Sequence, residues 1–373
     1  MLRRQPAGIM VRSPENLMGR PYRVGIIGCG NVARNHLAAY QNLPNAMVVA
    51  VCDTDRSKAE TFASLAGGAA VCTDSEQLCA AGVEVVSVCT PPPEHWRAAQ
   101  VAIDRGVHVM VEKPIAATLM DADRMIAAAQ SSGVKLSVVF QRRFWPAVLR
   151  TRKAIDEGHM GRLILGDCMV KWWRDRAYYE SAPWRGRWDL YGGGVLMNQA
   201  VHALDTFLWL MGPVESVYAR AANFTHAYVE VEDTVTATLN FTSGALGCLL
   251  ATLCVDPPGD AQIHLHGDNG SSVGICERDE SGAGFTSLWN VPGLKGNSNW
   301  DDEAQTERAF FHQAQLADFL RAIEEDGDPL VAPGSARASL ELILAIYSSW
   351  YTGDQVRLPL TSDPLLPRSG GVR

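Results

Sequence analysis

Residues 23–53 constrain the fold more than any other stretch of the sequence. An apolar run leads into a turn at residues 28–33, and a helical segment, a second apolar run and Asp53 follow in that order. This is the order of a strand–helix–strand unit that binds a dinucleotide. Gly28 permits the tight turn, and Gly30 lets the backbone approach a pyrophosphate at the helix N-terminus. The cofactor-binding residues predicted for this turn are Gly28, Gly30, Asn31, Val32 and Ala33.

The charge of Asp53 bears on the choice of cofactor. A carboxylate at this place accepts hydrogen bonds from both adenosine ribose hydroxyls and repels a 2′-phosphate. Arg56 follows three residues later and moderates that repulsion. We therefore predict NAD as the cofactor, with NADP as the second choice, and include Asp53 and Arg56 in the binding set.

Length and charge narrow the class of protein. A chain of 373 residues with 47% hydrophobic residues is long enough for about two domains, each with its own core. The formal net charge is −8 and Lys and Arg form no run, which argues against a nucleic-acid partner. No apolar stretch approaches the length of a membrane span. We expect a soluble enzyme with a small-molecule substrate.

Cysteine usage and the N-terminal segment bear on the compartment. Nine cysteines are an odd number, they form no C-x-x-C pair, and several lie within apolar runs. They are typical of reduced core residues in a cytoplasm. Residues 1–21 lack the apolar stretch of an export signal and are expected to form a flexible arm. The prediction is a cytoplasmic protein.

The first half of the chain alternates between strand and helix patterns. Short β-branched runs at 85–89, 107–111 and 135–140 are separated by segments with helical spacing. The prediction for residues 22–143 is a Rossmann domain with a doubly wound parallel sheet. Ligands of such sheets bind beyond the C-terminal strand ends, where Thr90, Pro91, Glu112 and Lys113 fall.

After residue 143 the pattern changes. Consecutive strand-like runs at 214–224, 233–241, 244–255 and 261–267 indicate a large open, mostly antiparallel sheet. Residues 311–325 and 336–351 have helical periodicity, and we expect them to pack against that sheet or back onto the first domain. Residues 144–373 are therefore predicted to be an α+β domain for substrate binding and oligomerisation, as a homodimer or homotetramer.

Several short motifs, taken together and in order, carry a family resemblance. From Tyr22 to Leu360 the sequence resembles the glucose-fructose oxidoreductase and inositol dehydrogenase family, known as Gfo/Idh/MocA. The resemblance implies hydride transfer between a nicotinamide and a carbon that bears a hydroxyl, commonly on a sugar, cyclitol or nucleotide sugar. It also implies cofactor contacts from the loops after the strands. The motifs are the turn at 28–33, Thr90-Pro91 with His95, Glu112-Lys113-Pro114, Arg143-Phe144, the glycines 192–194 followed by Asn198, His202 and Asp205, the run 345–347, and Gly353.

Lys113 is the first catalytic candidate. Its ammonium group at a strand end is suited to hydrogen-bond the reacting oxygen, and a nearby cofactor charge lowers the pKa of such an amine. The family assigns its lysine the same part. The alternative from the residues alone is an ordinary surface lysine in a turn before a proline.

His202 and Asn198 are the other catalytic candidates. On an α-helix that begins after three glycines, positions 198, 202 and 205 share one face. An imidazole has an ordinary pKa near 6.5, which suits a general base, and the resemblance implies that His202 is the proton acceptor. The alternative is a core histidine. Many relatives have Asp at position 198, so the amide of Asn198 is expected to orient the substrate or the imidazole.

Residues 171–194 concentrate aromatic and arginine side chains before this helix. Aromatic faces pack against sugar C–H surfaces, and arginines bind hydroxyls, carboxylates or phosphates. The alternative is a cover for a sheet edge or a subunit interface. The predicted substrate contacts are Trp173, Arg174, Tyr179, Trp184 and Arg185, with Arg143, Asn198 and His312 added from the resemblance. For His312 the alternative is a helix-surface position.

His264 and His266 point the same way along a strand, but no third ligand is evident, and no metal is predicted. Three classes of function follow. The first is a sugar dehydrogenase acting on a free aldose, a pentose such as apiose or a related polyol, with nucleotide sugars as the next choice. The second is a glycoside-cleaving enzyme that recycles NAD, and the third is a non-catalytic sugar or nucleotide sensor. Retention of both Lys113 and His202 argues against the sensor.

Overall fold

The computed structural model describes residues 20–277, 284–294 and 308–365. Most of the expected N-terminal arm therefore lies outside the described residues. The chain divides into two compact units. The first unit comprises the chain up to Ala116, Met120–Val139 and His312–Gly334, and the second comprises Ala117–Leu119, Phe140–Phe311 and the chain from Ser335. The predicted domain limits at residues 143 and 144 stay a prediction.

The elements follow the predicted alternation of strands and helices. The strands are β1 (Tyr22–Ile27), β2 (Ala46–Cys52), β3 (Ala70–Cys72), β4 (Val85–Val88), β5 (His108–Val111), β6 (Leu136–Val138), β7 (Leu163–Lys171), β8 (Val214–Ala222), β9 (Thr234–Phe241), β10 (Leu246–Thr252), β11 (Ala261–Gly267), β12 (Ser272–Glu277), β13 (Gly284–Asn290) and β14 (Val356–Arg357). The helices are α1 (Asn31–Gln41), α2 (Arg56–Leu65), α3 (Ser75–Ala80), α4 (His95–Ile103), α5 (Leu119–Ser132), α6 (Pro146–Asp156), α7 (Arg176–Glu180), α8 (Trp188–Tyr191), α9 (Val201–Met211), α10 (Arg308–Glu324) and α11 (Pro333–Thr352).

The first unit is built on a six-stranded parallel sheet. Its strand order is β3-β2-β1-β4-β5-β6, so the chain winds outward in both directions from β1. This confirms the predicted doubly wound sheet. Local sequence sets several helix starts: the Asp55 side chain accepts from the backbone of Ser57 and Lys58 at the start of α2, and Asp74 caps α3 in the same way.

A late helix completes the core of this unit. On α10, Leu316, Phe319 and Leu320 are buried in the same cluster as Val24 on β1 and Leu37 on α1. The C-terminal helices were expected to pack either on the second sheet or on the first domain. Each alternative holds for one of them, because most of α10 belongs to the first unit and most of α11 to the second.

The second unit contains an eight-stranded sheet in the order β13-β12-β11-β7-β10-β9-β8-β14. All neighbours are antiparallel except β7 and β10, which are parallel. The sheet is therefore mostly antiparallel, as predicted. One face keeps apolar side chains exposed, including Leu165 and Leu246. The assembly predicted for the domain stays a prediction.

Helix α9, which carries His202, packs closely on the other face of this sheet. A Cβ added at Gly166 of β7 would lie 2.7 Å from the ring of Phe207 on α9, and one at Gly247 of β10 would lie 3.4 Å from the same ring. Glycine at these positions lets the helix approach the sheet backbone. The position of α9 is thereby fixed against the two central strands.

None of the helices within the described residues is both long enough and apolar enough to cross a lipid bilayer. All nine cysteines are free thiols, and six of them are buried. The prediction of core positions holds for these six, whereas Cys248 is exposed on the sheet.

Candidate active site

The glycine turn of the first unit has the geometry that a dinucleotide needs. Gly28 has φ +91°, and a Cβ there would lie 2.7 Å from the carbonyl oxygen of Cys89, so only glycine fits without strain. A Cβ at Gly30 would meet nothing within 4 Å. Gly30 precedes α1, and no side chain caps that helix. The turn thus exposes its backbone, and the N-terminus of the 11-residue helix α1 has no side-chain cap. Both features suit the binding of a pyrophosphate.

Asp53 lies at the end of β2 and holds the turn. Its carboxylate accepts the backbone N–H of Cys29 at 2.9 Å and that of Asp55 at 2.9 Å. The guanidinium of Arg56 forms an exposed ion pair with Glu60 at 2.9 Å. The charge of Arg56 is therefore paired within α2. This weakens its predicted moderating effect on the repulsion between Asp53 and a 2′-phosphate.

His95 joins the two loops that follow β4 and β5. Its ring nitrogens lie 2.9 Å from the carbonyl oxygen of Thr90 and 3.0 Å from that of Pro114. The ring is fully buried, and burial lowers the pKa of His95 despite these carbonyls. His95 therefore fixes the two loops, and its predicted part in cofactor binding stays a prediction. The Thr90 hydroxyl is buried with no hydrogen-bond partner among the described residues, as expected of a group that a ligand completes.

Glu112 and Lys113 follow β5. The Glu112 carboxylate is 5% exposed and accepts the backbone N–H of Lys113 at 3.1 Å and a hydrogen bond from His36 at 3.0 Å. Burial by itself raises the pKa of Glu112. The hydrogen bond from His36, together with the charges of Lys113 and His312, outweighs that effect and lowers the pKa. A buried carboxylate thus stays ionised next to the candidate catalytic lysine.

His312 begins the part of α10 that belongs to the first unit. It is 4% exposed, and its ring lies edge-on to that of His36 at 6.0 Å. The alternative of an exposed helix position is wrong, because the side chain is buried. A substrate contact by His312 stays a prediction.

In the second unit, the helix after the three glycines begins differently from the prediction. Residues Val195–Ala200 form a π-helical segment, and the α-helix starts at Val201. Glu232 accounts for this start. Its carboxylate accepts the N–H of Gly194 at 2.8 Å and of Leu196 at 3.2 Å, and its carbonyl accepts that of Val195 at 3.1 Å. Asn198 therefore lies on a π-helical turn, and the α-helical spacing from which we predicted a shared face with His202 does not apply.

Glu232 is itself held from the other side. The hydroxyl of Tyr347 donates to its carboxylate at 2.8 Å. Burial raises the pKa of Glu232 to about 7, although the hydrogen bonds from Tyr347, Leu196 and Gly194 act in the opposite direction.

Asn198 is oriented by aromatic hydroxyls. Its amide nitrogen donates to the Tyr178 hydroxyl at 2.8 Å, and its amide oxygen accepts from the Tyr191 hydroxyl at 3.1 Å. Gln199 donates to the same Tyr178 oxygen at 2.6 Å and accepts from Arg174 at 2.9 Å. The amide of Asn198 is thus fixed in one orientation.

His202 is half-buried on α9, with its ring edge-on to Phe140 at 5.8 Å. Its backbone carbonyl accepts a hydrogen bond from the hydroxyl of Thr206. The side chain is therefore not sealed within the core, which is compatible with the predicted role.

Arg143 corrects the predicted set of substrate contacts. Its side chain is 1% exposed, and the guanidinium donates to both oxygens of Asp205 at 2.8 and 2.6 Å and to the Ser335 hydroxyl at 3.0 Å. A buried forked ion pair of this kind uses the planar guanidinium for structure. Arg143 therefore fastens α9 to the start of α11 and is not placed to contact substrate.

The aromatic-rich segment lines a pocket in the second unit. It brings together four of the predicted residues, Tyr179, Trp184, Arg185 and Asn198. The ring of Trp184 stacks on Tyr191 at 4.7 Å, and the guanidinium of Arg185 lies 4.1 Å from the ring centre of Tyr178. Arg174 reaches the pocket through Gln199 and lies 5.0 Å from the ring centre of Tyr178. Trp173 pairs with Cys254 at a β-bridge and lies against His226.

Sequence reasoning missed Tyr178, Tyr191 and Gln199, which also line the pocket, and Glu232, which shapes it. The one local signal that could have identified Gln199 is its position directly after Asn198.

One group of possible metal ligands lies among the described residues. Atoms of His226, Asp233 and Cys254 lie within 4.8 Å of one another. They are joined by hydrogen bonds: His226 Nδ1 lies 2.9 Å from Asp233, whose carboxylate also accepts backbone N–H groups of Phe224 and Thr225. His264 and His266 are likewise paired, with Asp167 and Ser272. The acceptor capacity of the Asp233 carboxylate is thus largely used within the protein.

Comparison with known proteins agrees with this geometry. Residues 22–140 match the model of the oxidoreductase family with an NAD-binding Rossmann fold, and residues 148–273 match that of the GFO/IDH/MocA C-terminal domain. The structure of the WlbA dehydrogenase from Bordetella pertussis, in complex with NADH and UDP-GlcNAcA, is 31% identical. It superposes with a TM-score of 0.84 over 92% of this chain and 99% of that one. The chain belongs to the Gfo/Idh/MocA family.

Curated relatives in the same family are dehydrogenases and reductases. The D-glucoside 3-dehydrogenase of Escherichia coli is 28% identical over 91% of this chain and 98% of its own length. The scyllo-inositol 2-dehydrogenase (NAD(+)) of Bacillus subtilis is 25% identical over 91% of this chain and 97% of its own. The predicted family, fold class and cofactor are confirmed: this Gfo/Idh/MocA protein is an NAD-dependent oxidoreductase.

Proposed function

We propose that the protein is a sugar dehydrogenase that oxidises a hydroxyl of a free aldose, a pentose or a related polyol. The observation that supports this most is the pocket of the second unit, where the stacked rings of Trp184 and Tyr191 adjoin the fixed amides of Asn198 and Gln199. Aromatic faces suit sugar C–H surfaces, and amides suit ring hydroxyls, whereas a strictly apolar pocket would not.

The first unit fits the nicotinamide cofactor. The turn at Gly28 and Gly30 would receive the pyrophosphate, Asp53 the adenosine ribose, and the buried Thr90 hydroxyl a further polar group. When bound, the cofactor supplies the acceptor for the hydride. The loops held by His95 and Glu112 keep this surface in place without ligand.

Lys113 provides the positive charge that alcohol oxidation needs. As oxygen loses its proton it gains negative charge, and an ammonium group stabilises that charge most strongly where water is excluded. Glu112 anchors the Lys113 backbone, so the amine is presented from a fixed point at the end of β5.

His202 is the proposed proton acceptor. Its neutral imidazole accepts the hydroxyl proton as the C–H bond breaks, and releases it to solvent after product leaves. Asn198 carries no charge and cannot share that proton. The hydroxyls of Tyr178 and Tyr191 fix its amide, so Asn198 orients the substrate or the imidazole.

A nucleotide sugar is the second candidate substrate. Two observations favour it: the guanidinium groups of Arg174 and Arg185 adjoin the pocket, and the similar WlbA dehydrogenase was crystallised with UDP-GlcNAcA. Arginine binds phosphate and carboxylate by paired hydrogen bonds. A strong preference for UDP-sugars over free sugars would decide for this candidate.

The test is NADH formation by the purified protein with NAD or NADP, against free aldoses, cyclitols, glycosides and UDP-sugars. We expect turnover on one class, and a loss of at least ~100-fold in kcat for Lys113→Ala and His202→Ala. NADH binding by both variants, followed by fluorescence, shows that the fold is retained.

Turnover that survives Lys113→Ala would contradict the proposed chemistry. Silence of the wild-type protein across the panel, with tight NADH binding, would instead favour glycoside cleavage with recycled NAD or a sensor.

A further inference from the structure

A chain of buried polar side chains leads to Glu112, the neighbour of Lys113. The Tyr40 hydroxyl lies 2.9 Å from Ser87 Oγ, and Ser87 Oγ lies 3.0 Å from His36 Nδ1. On the far side of the imidazole, Nε2 lies 3.0 Å from the Glu112 carboxylate. Tyr40, Ser87 and His36 are almost completely buried, and they come from α1 and β4. The protein has thus placed three polar groups in its core that do not face solvent.

Donor counting gives this chain a direction. The ionised carboxylate of Glu112 only accepts, so Nε2 of His36 carries the proton. In a neutral imidazole Nδ1 then accepts from the Ser87 hydroxyl, and Ser87 accepts from Tyr40. Each group donates once, so the chain is fully satisfied and ends on a single negative charge. A satisfied buried network of this kind is rigid, whereas loss of one member leaves a costly unpaired group.

Several groups of the first unit face that negative charge. They are His36 on α1, Cys89 after β4, His95 on α4, Lys113 and His312 on α10. Burial raises the pKa of the Cys89 thiol well above its ordinary value, so it stays neutral. Lysine is the strongest base among these side chains, which makes Lys113 the natural counter-ion of Glu112.

We propose that Tyr40, Ser87 and His36 are positioning residues that keep Glu112 ionised as the counter-ion of Lys113, with His36 the link on which this depends. The inference rests on the part of Lys113 in the proposed function. The same carboxylate accepts a hydrogen bond from the Lys113 backbone N–H. Glu112 thus supplies the negative charge beside Lys113 and also holds the main chain of Lys113 in position.

The reactivity of the Lys113 amine measures this directly, without substrate. The purified full-length protein is labelled with trace acetic anhydride across a pH series that spans the ordinary pKa of lysine, and acetylation of Lys113 is followed by mass spectrometry. In Glu112→Gln the midpoint of labelling should fall by about 1 pH unit, because the negative charge beside the amine is gone. His36→Leu should cause a fall in the same direction, since a buried carboxylate that has lost its donor accepts a proton from the neighbouring ammonium and leaves the amine neutral.

A matched variant separates this role from mere packing. His36→Gln retains an N–H group near the place of Nε2, and we expect its labelling midpoint to match the wild type. A wild-type midpoint in His36→Leu, or an equal fall in His36→Leu and His36→Gln, would overturn the inference. If His36→Leu does not fold, Ser87→Ala replaces it, with a smaller fall in the same direction expected and an unchanged midpoint counting against the inference.

The two proposals fail separately. Turnover that persists in Lys113→Ala would remove the proposed catalytic role, yet the labelling result would still show whether His36 controls Glu112.

Discussion

The two units each contain a glycine-rich turn that opens a helical segment, and the two turns use their backbone differently. In the first unit, the helix after Gly30 has no side-chain cap. In the second, the carboxylate and carbonyl of Glu232 accept hydrogen bonds from the N–H groups of Gly194, Val195 and Leu196. The first helix start is left for a ligand, and the second is closed by the protein.

This difference teaches that glycines in a turn do not by themselves predict an anion site. An uncapped helix N-terminus attracts phosphate because several N–H groups and the helix dipole point outward. Where a buried carboxylate already occupies that place, the glycines serve close packing. A Cβ at Gly194 would lie 2.0 Å from the carbonyl oxygen of Glu232, and one at Gly193 would lie 2.2 Å from the Tyr347 hydroxyl.

The largest effect is expected in the first turn. Gly28→Ala forces a positive φ on alanine and places its methyl group against the Cys89 backbone, at a cost of about 2–3 kcal/mol. We expect Tm to fall by about 5 °C or more and NADH affinity to fall by at least ~10-fold. Thermal melting and NADH fluorescence titration measure the two effects.

Gly30→Ala is the matched control. Gly30 has φ −79° and open space at its Cβ position, so Tm should stay within about 1 °C while NADH affinity falls. Wild-type NADH affinity in Gly30→Ala would mean that the cofactor does not approach this backbone, and the contrast between the turns would be lost.

The second turn, and not the first, should make the stability of the folded protein depend on pH. Because the pKa of Glu232 in the folded protein is about 7, against an ordinary 4.5, the folded state holds a proton that the unfolded chain releases between these values. Stability therefore falls as pH rises through this window, by up to about 3 kcal/mol, since each pH unit is worth about 1.4 kcal/mol. Glu232→Gln should flatten this part of the stability curve.

Tm measured from pH 4.5 to about 7 checks this, with Glu230→Gln as the control, because Glu230 lies two residues away and is only partly buried. Parallel curves for the wild type and Glu232→Gln would refute the proposed titration.

The smallest effect is expected on the relative affinity for NADPH and NADH, which the charges beside the first turn influence. Glu60→Ala releases Arg56 from an exposed ion pair that is worth at most about 1 kcal/mol. We expect the affinity for NADPH relative to NADH to rise about threefold, because a freed guanidinium can meet a 2′-phosphate.

Asp53→Ala should raise the same ratio further, through lower NADH affinity, because the ribose loses its acceptor. An unchanged ratio in both variants would show that neither charge at the end of β2 governs the choice of cofactor.

The fold was largely predictable from the sequence because most strands are marked locally. The runs that predicted β4, β5, β8, β9, β10 and β11 all became strands. Strand β7 was not predicted, although it is central in its sheet. Its partners β10 and β11 lie 80 to 100 residues further along the chain, and its exposed and buried positions do not alternate cleanly at the start.

The candidate site was less predictable because its contacts are not local. Tyr179 was chosen and Tyr178 was not, yet the hydroxyl of Tyr178 holds both Asn198 and Gln199. Adjacent residues on a helix point about 100° apart, and nothing in the sequence shows that the hydroxyl of Tyr178, and not that of Tyr179, reaches the two amides. The π-helical turn depends on Glu232, which lies more than 30 residues later.

Helix α10 gives the first unit an unusual order of assembly. Leu316, Phe319 and Leu320 complete the core around β1 and α1, although they are made nearly 300 residues later. Domains generally fold as units during synthesis, the N-terminal ones first. Here a ribosome that has completed all six strands of the parallel sheet has not yet made the helix that covers part of it. The nucleotide-binding unit therefore finishes folding only after most of the second unit has left the ribosome. The core around the first strand is completed late in synthesis.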